Sequence, residues 1–177
     1  MEVYLLRHAS AGEPKLNPAK DDERPLDKLG IEQSHDVGWA LAALEVTVDA
    51  IVTSPLLRAA QTASIVAGEL GCGDKVVTDD ALRPGAGPEQ FEAVLDHYRR
   101  CRAILIVGHN PSMTEFLNRL LLGKGAPNAI ELKKGAIAKL EKTGRGPAVL
   151  KWCLTPKLIR SLQRASASSL RPKTDSK

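Results

Sequence analysis

Val3-Tyr4-Leu5-Leu6-Arg7-His8-Ala9 is the stretch whose reading decides the fold. Val3 to Leu6 is a short continuous apolar run, the pattern of a strand buried on both faces. A guanidinium and an imidazole follow at once, where such a strand hands over to a loop. In open α/β sheets, ligands sit outside the carboxyl ends of the strands. Arg7 and His8 therefore stand where chemistry is usually placed. An Arg-His pair alone is a weak signal, so its weight depends on what the rest of the chain supplies.

Working outward, the same layout recurs. Ala103 to Val107 reads as a second buried strand, broken by Gly108-His109-Asn110-Pro111. Asp49 to Thr53 reads as a third, followed by Ser54-Pro55. That dipeptide is a helix start signal, with Ser54 as N-cap and Pro55 at the first helical position. Arg58 then falls on the first turn. Further helices are predicted over Lys28 to Leu44, after Ser54-Pro55, and around Phe91, Val94, Leu95 and Tyr98. A fourth carries Met113, Phe116, Leu117, Leu120 and Leu121 on one face, with Ser112 and Glu115 as a capping box.

Val76 to Thr78 fits a short edge strand. Ala136 to Leu140 and Ala148 to Leu154 fit a terminal hairpin. Residues 9–27 read as a long polar loop, and Asp21, Asp22 and Glu23 within it as solvated charges. Alternating strands and helices argue for a three-layer α/β/α sandwich with a mainly parallel central sheet.

Bulk properties narrow the class. The chain has 177 residues, 43% of them hydrophobic and 26% charged, the profile of one soluble globular domain. No apolar run is long enough to cross a bilayer, and the N-terminus lacks a signal-peptide layout. Cys72, Cys101 and Cys153 are scattered, which argues against a disulfide framework or zinc site and for a cytoplasmic location.

The net charge of +4 is concentrated at the C-terminus, where residues 157–177 hold six cations and one anion. The expected organisation is thus a domain over 1–156 and a basic segment over 157–177, partly helical and disordered from 165. Without those cations the body is slightly acidic, so a nucleic-acid partner is not expected. Neither is a membrane.

If the three strands are neighbours, Arg7, His8, Arg58 and His109 converge on one pocket. Two arginine forks and two imidazoles suit an anionic, phosphate-like group, and helix N-termini add backbone donors. A neutral imidazole is a competent nucleophile, and the cations would stabilise charge on a transferring phosphoryl group. No Asp pair or Walker-type Gly-rich run is read as a holder for magnesium, so no metal or other cofactor is expected. His35 and His97 lie within helical patterns and are read as bystanders.

The motifs as a set resemble the histidine phosphatase superfamily, with its phosphoglycerate-mutase-like fold, and within it the small phosphohistidine phosphatases of the SixA type. The matching stretches are Leu5-Leu6-Arg7-His8-Ala9, Arg24-Pro25-Leu26 with Gly30, Ser54-Pro55 with Arg58, Gln61 and Thr62, and Val107-Gly108-His109-Asn110-Pro111. The resemblance implies that His8 is the phosphorylated nucleophile, that Arg7, Arg58 and His109 hold the phosphoryl group, and that Arg24 contacts it near the pocket mouth.

Where larger members carry an acidic proton donor, this chain reads Ala81-Leu82-Arg83-Pro84-Gly85. The implied activity is a metal-independent phosphatase acting on phosphohistidine or another phosphoprotein and releasing inorganic phosphate. A phosphatase for small phosphometabolites is the first alternative. A non-catalytic phosphate-binding module is the second.

Overall fold

The computed structural model describes residues 1–125, 127–144 and 146–169. Six strands form one sheet: β1 (Glu2–Arg7), β2 (Ala50–Thr53), β3 (Val76–Thr78), β4 (Ala103–Gly108), β5 (Ile137–Glu141) and β6 (Val149–Leu154). Their spatial order is β3-β2-β4-β1-β5-β6. β3, β2, β4 and β1 run parallel, while β5 is antiparallel to β1 and β6 to β5. The expected hairpin and the expected edge strand are both in place.

Among the described residues six α-helices accompany the sheet: α1 (Pro18–Asp22), α2 (Lys28–Ala43), α3 (Leu57–Glu69), α4 (Pro88–His97), α5 (Ser112–Leu122) and α6 (Pro156–Ser169). Because strand side chains alternate between faces, the central strands feed two cores. Val3, Leu5, Ile104 and Ile106 face one layer and pack with Phe91, Phe116 and Leu117 of α4 and α5. Leu6, Leu105, Val107 and Ile51 face the other and pack with Val37, Leu41, Ala63 and Val66 of α2 and α3. This is why the strands read as unbroken apolar runs: both faces are covered.

Four local expectations are corrected. Ser54 does not cap α3; Leu56 occupies that position without a side-chain cap, because the Ser54 hydroxyl is spent on the Leu56 amide and on His109. Ser112 and Glu115 form no capping box either. Pro111 already has helical dihedrals, so α5 begins at Ser112, and the Met113 amide donates to the His109 carbonyl at 2.8 Å.

The loop over 9–27 contains α1, whose amides at Ala19 and Lys20 are capped by Asn17. Helix α6 continues through residues 165–169, where disorder was expected. It is no detached tail: Ile159 is fully buried in the core layer shared with α2, and Arg160 lies 3.6 Å from Asp36 of α2. The rest of the expected disordered segment, 170–177, lies outside the described residues.

One glycine positions the site. A Cβ on Gly30, in the first turn of α2, would overlap the Ser10 carbonyl. Only a hydrogen at that position lets α2 approach the loop leaving β1. Asp27 then ties both together, accepting from the Gly30 and Gly12 amides and the Ser10 hydroxyl.

Candidate active site

The parallel register brings three strand ends to one level. Arg7 lies opposite Gly108, and Thr53 opposite Val107. The pairing continues one step past the strands, with His8 N–H donating to Gly108 O and Ser54 N–H to Val107 O, both at 3.0 Å. The next side chains are thus delivered side by side: His8 from β1, His109 from β4, Ser54 from β2. The two imidazole rings lie 5.0 Å apart, centroid to centroid. Arg58 joins them from the first turn of α3. Relative exposures of 6% for His8, 4% for Arg58 and 3% for His109 show how far this polar group is withdrawn from water.

His8 Nδ1 lies 2.7 Å from Ala9 O. A carbonyl can only accept, so Nδ1 carries the proton and Nε2 keeps its lone pair. Burial pushes the His8 pKa down to about 4, helped by Arg58 and Arg7 and opposed by the Ala9 carbonyl. His109 is pushed down to about 3, first by burial and then by His8 and Arg58. Both imidazoles are therefore neutral at physiological pH. His109 Nε2 is 2.9 Å from Ser54 Oγ. The turn after His8 is fixed by Thr62, whose hydroxyl accepts from Ala9 N–H at 3.2 Å and donates to Arg58 O at 2.7 Å.

The guanidiniums divide into two kinds. Arg7 donates from Nη1 to Leu132 O, and Arg58 from Nη1 to Asp21 O. The Nε atoms of both are buried without a protein partner, as is His109 Nδ1. Such groups cost free energy unless something pairs with them. Three of them near one strand edge make a receptor for an anion with several oxygens. Desolvation lowers both arginine pKa values from their usual level, which leaves them charged.

Arg24 is different. Its Nε and Nη2 donate to the Asp21 carboxylate, and its Nη1 to Ala11 O and Gly12 O. Arg24 thus braces the loop, with a loop acceptor for each of its nitrogens.

Two residues escaped the sequence reading. Ser54 looked like a helix cap but contacts His109. Asp21 looked like a solvated charge but is held between Arg24, at 2.8 Å, and Arg58, at 3.3 Å. Arg24 leads in lowering its pKa to about 2, followed by the Lys15 amide. Among the described residues no group of three His, Cys, Asp or Glu side chains could hold a metal ion. No described helix is long and apolar enough to cross a membrane.

This architecture is the phosphoglycerate-mutase-like fold. The chain superposes on the protein histidine phosphatase SixA in complex with tungstate with a TM-score of 0.76, at 24% identity, over 89% of this chain and 98% of that one. Residues 3–84 match the histidine phosphatase superfamily (branch 1). An uncharacterized protein of Picosynechococcus is 34% identical over 79% of this chain and 84% of its own length. Phosphohistidine phosphatase SixA of Escherichia coli is 25% identical over 88% of this chain and 94% of its own. The chain belongs to the histidine phosphatase superfamily.

Proposed function

We propose that the protein hydrolyses phosphohistidine carried on another protein, through a covalent intermediate on His8. The observation that carries the reading is the 2.7 Å contact of His8 Nδ1 with Ala9 O, which leaves Nε2 as the attacking atom. Nε2 forms a bond to phosphorus while the bond from phosphorus to the substrate nitrogen breaks. Arg7, Arg58 and His109 hold the phosphoryl oxygens as charge shifts among them. Water then attacks phospho-His8. The Nε2–phosphorus bond breaks, both of the water's protons leave on the phosphate as dihydrogen phosphate, and neutral His8 is restored. The positive charge is supplied by side chains, so chelators are expected to leave turnover intact.

The substrate class follows from the leaving group. An alkoxide departs poorly without a proton from a positioned acid, a contribution of about 10²–10⁴-fold. Phosphohistidine protonated on its far nitrogen releases a neutral imidazole instead. The carboxylate held on Arg58 is not suited to act as that acid. Asp21 is ionised, with a pKa of about 2, between two arginines. We therefore expect kcat/KM to favour phosphohistidine peptides and activated aryl phosphates over phosphoserine peptides and 3-phosphoglycerate. Measuring kcat/KM against leaving-group pKa tests this. A flat dependence, or preference for alkyl esters, would reveal a working general acid and refute the assignment.

A further inference from the structure

Asp21 and Asp22 are adjacent on α1, and each places its carboxylate on a different arginine. Asp21 meets Arg58 at 3.3 Å. Asp22 Oδ2 accepts from Arg83 Nη1 at 2.9 Å, across 61 residues of sequence. Two anions one residue apart therefore span the distance between these two guanidiniums. Arg83 is oriented from its other edge, where Nε donates to Asp80 Oδ1 at 2.7 Å. It sits in the loop after the short turn Asp80–Leu82, which follows β3 on the same side of the sheet as Arg58.

The two arginine contacts differ in permanence. Arg58 is buried. The side chains of Arg83 and Asp22 are each 46% exposed. Exposed ion pairs contribute little net stability, so giving one up for another carboxylate costs little. Asp22 is thus a displaceable occupant of an aimed, half-open fork. An incoming carboxylate can replace it without uncovering a buried charge.

We propose that Arg83 is a second anion subsite, which reads a carboxylate carried one residue from the phosphoryl group. This rests on the phosphatase reading above and narrows its substrate class. The phosphoryl group goes to Arg7, Arg58 and His8, and the neighbouring carboxylate takes Asp22's place on Arg83. Two sources supply such a carboxylate: an Asp or Glu beside a phosphorylated residue, or a small phosphorylated acid. The former matches the spacing that Asp21 and Asp22 themselves display.

The test is a binding measurement that does not depend on turnover. Peptides carrying a stable phosphonate analogue of phosphohistidine are titrated into the protein, one with Glu beside the analogue and one with Gln. The protein is expected to bind the Glu peptide about three- to fivefold more tightly. Arg83→Ala should bring that ratio to about one, Arg83→Lys should keep most of it, Arg83→Glu should invert it, and Asp22→Asn should raise it. A parallel titration with 3-phosphoglycerate identifies the source. If Arg83→Ala weakens that ligand and leaves the peptide ratio unchanged, the carboxylate belongs to small acids and the peptide form is overturned. Equal weakening of both peptides would make Arg83 only a brace for α1 and overturn the subsite. Hydrolysis of an aryl phosphate, measured separately, reports on the phosphatase reading itself; its failure leaves the affinity ratio readable.

Discussion

Two regions of this molecule are rich in arginine and lysine, and they differ in what those cations touch. At the carboxyl edge of the sheet, Arg7, Arg58 and His109 keep buried nitrogens without protein partners. At the other, a cleft of about 700 Å³ lies between α4, α5 and the chain start, lined by Met1, Leu95, Arg99, Phe116, Arg119 and Lys142 among others. There Arg119 is satisfied by Glu92 and Glu89, Arg99 by Asp96, and Lys142 by Gly146 O. The cleft is roomy and cationic, yet its two arginines are already paired with carboxylates. Volume and charge do not make an anion site. The phosphoryl pocket differs in holding desolvated donors that lack a protein partner.

The sharpest way to break this contrast is to remove the nucleophile. His8→Ala is expected to lower turnover of an aryl phosphate by roughly 10⁴-fold or more, in a protein that still unfolds cooperatively. Full activity in that variant would place the chemistry elsewhere. Next in size is the anion site itself. Arg58→Ala should weaken orthovanadate binding by about 1.5–3 kcal/mol, the cost of losing one charged hydrogen-bonding partner. Equal affinities by titration would remove Arg58 from the pocket.

Acid sensitivity provides a third probe. An unfolded imidazole titrates near 6.5, while burial holds folded His8 at about 4. Between those values the unfolded chain binds protons that the folded chain does not, so stability falls as pH is lowered through that window. His8 alone accounts for about 3 kcal/mol by this linkage. Urea unfolding at pH 7 and pH 4.5 should therefore show a smaller acid loss for His8→Gln than for the parent chain. An identical loss would mean that His8 is not desolvated in the folded state. The smallest effect belongs to the cleft: Arg119→Ala is expected to leave vanadate affinity unchanged, and a weakening like that of Arg58→Ala would erase the distinction between the regions.

The sequence made the first of these regions legible and the second invisible. Arg7, His8 and His109 follow apolar runs directly, and Arg58 follows Thr53-Ser54-Pro55 by three residues. Adjacency in sequence was enough to place them once the strands were taken as neighbours. Asp21 and Ser54 are illegible for the opposite reason. Each is a polar residue in a stretch where local chemistry offers a bland role, a loop charge or a helix cap. The role it takes depends on a partner more than 30 residues away: Arg58 or His109. The loop contacts of Arg24 are equally illegible in sequence, since only the folded loop shows its donors meeting Asp21, Ala11 and Gly12. The end of α6 is illegible because small polar residues carry no periodic signal, while the contacts that hold the helix, buried Ile159 and Arg160 beside Asp36, lie in its first half.

The central claim is that His8 carries the phosphoryl group between two half-reactions. Rapid quenching during turnover of a phosphorylated substrate, followed by peptide mapping, reads this directly. The expected result is an acid-labile, base-stable phosphate on the peptide containing His8, formed and lost at rates consistent with kcat and absent from His8→Ala. Phosphate found on another residue, or a kinetically competent phosphoenzyme that survives in His8→Ala, would contradict the account.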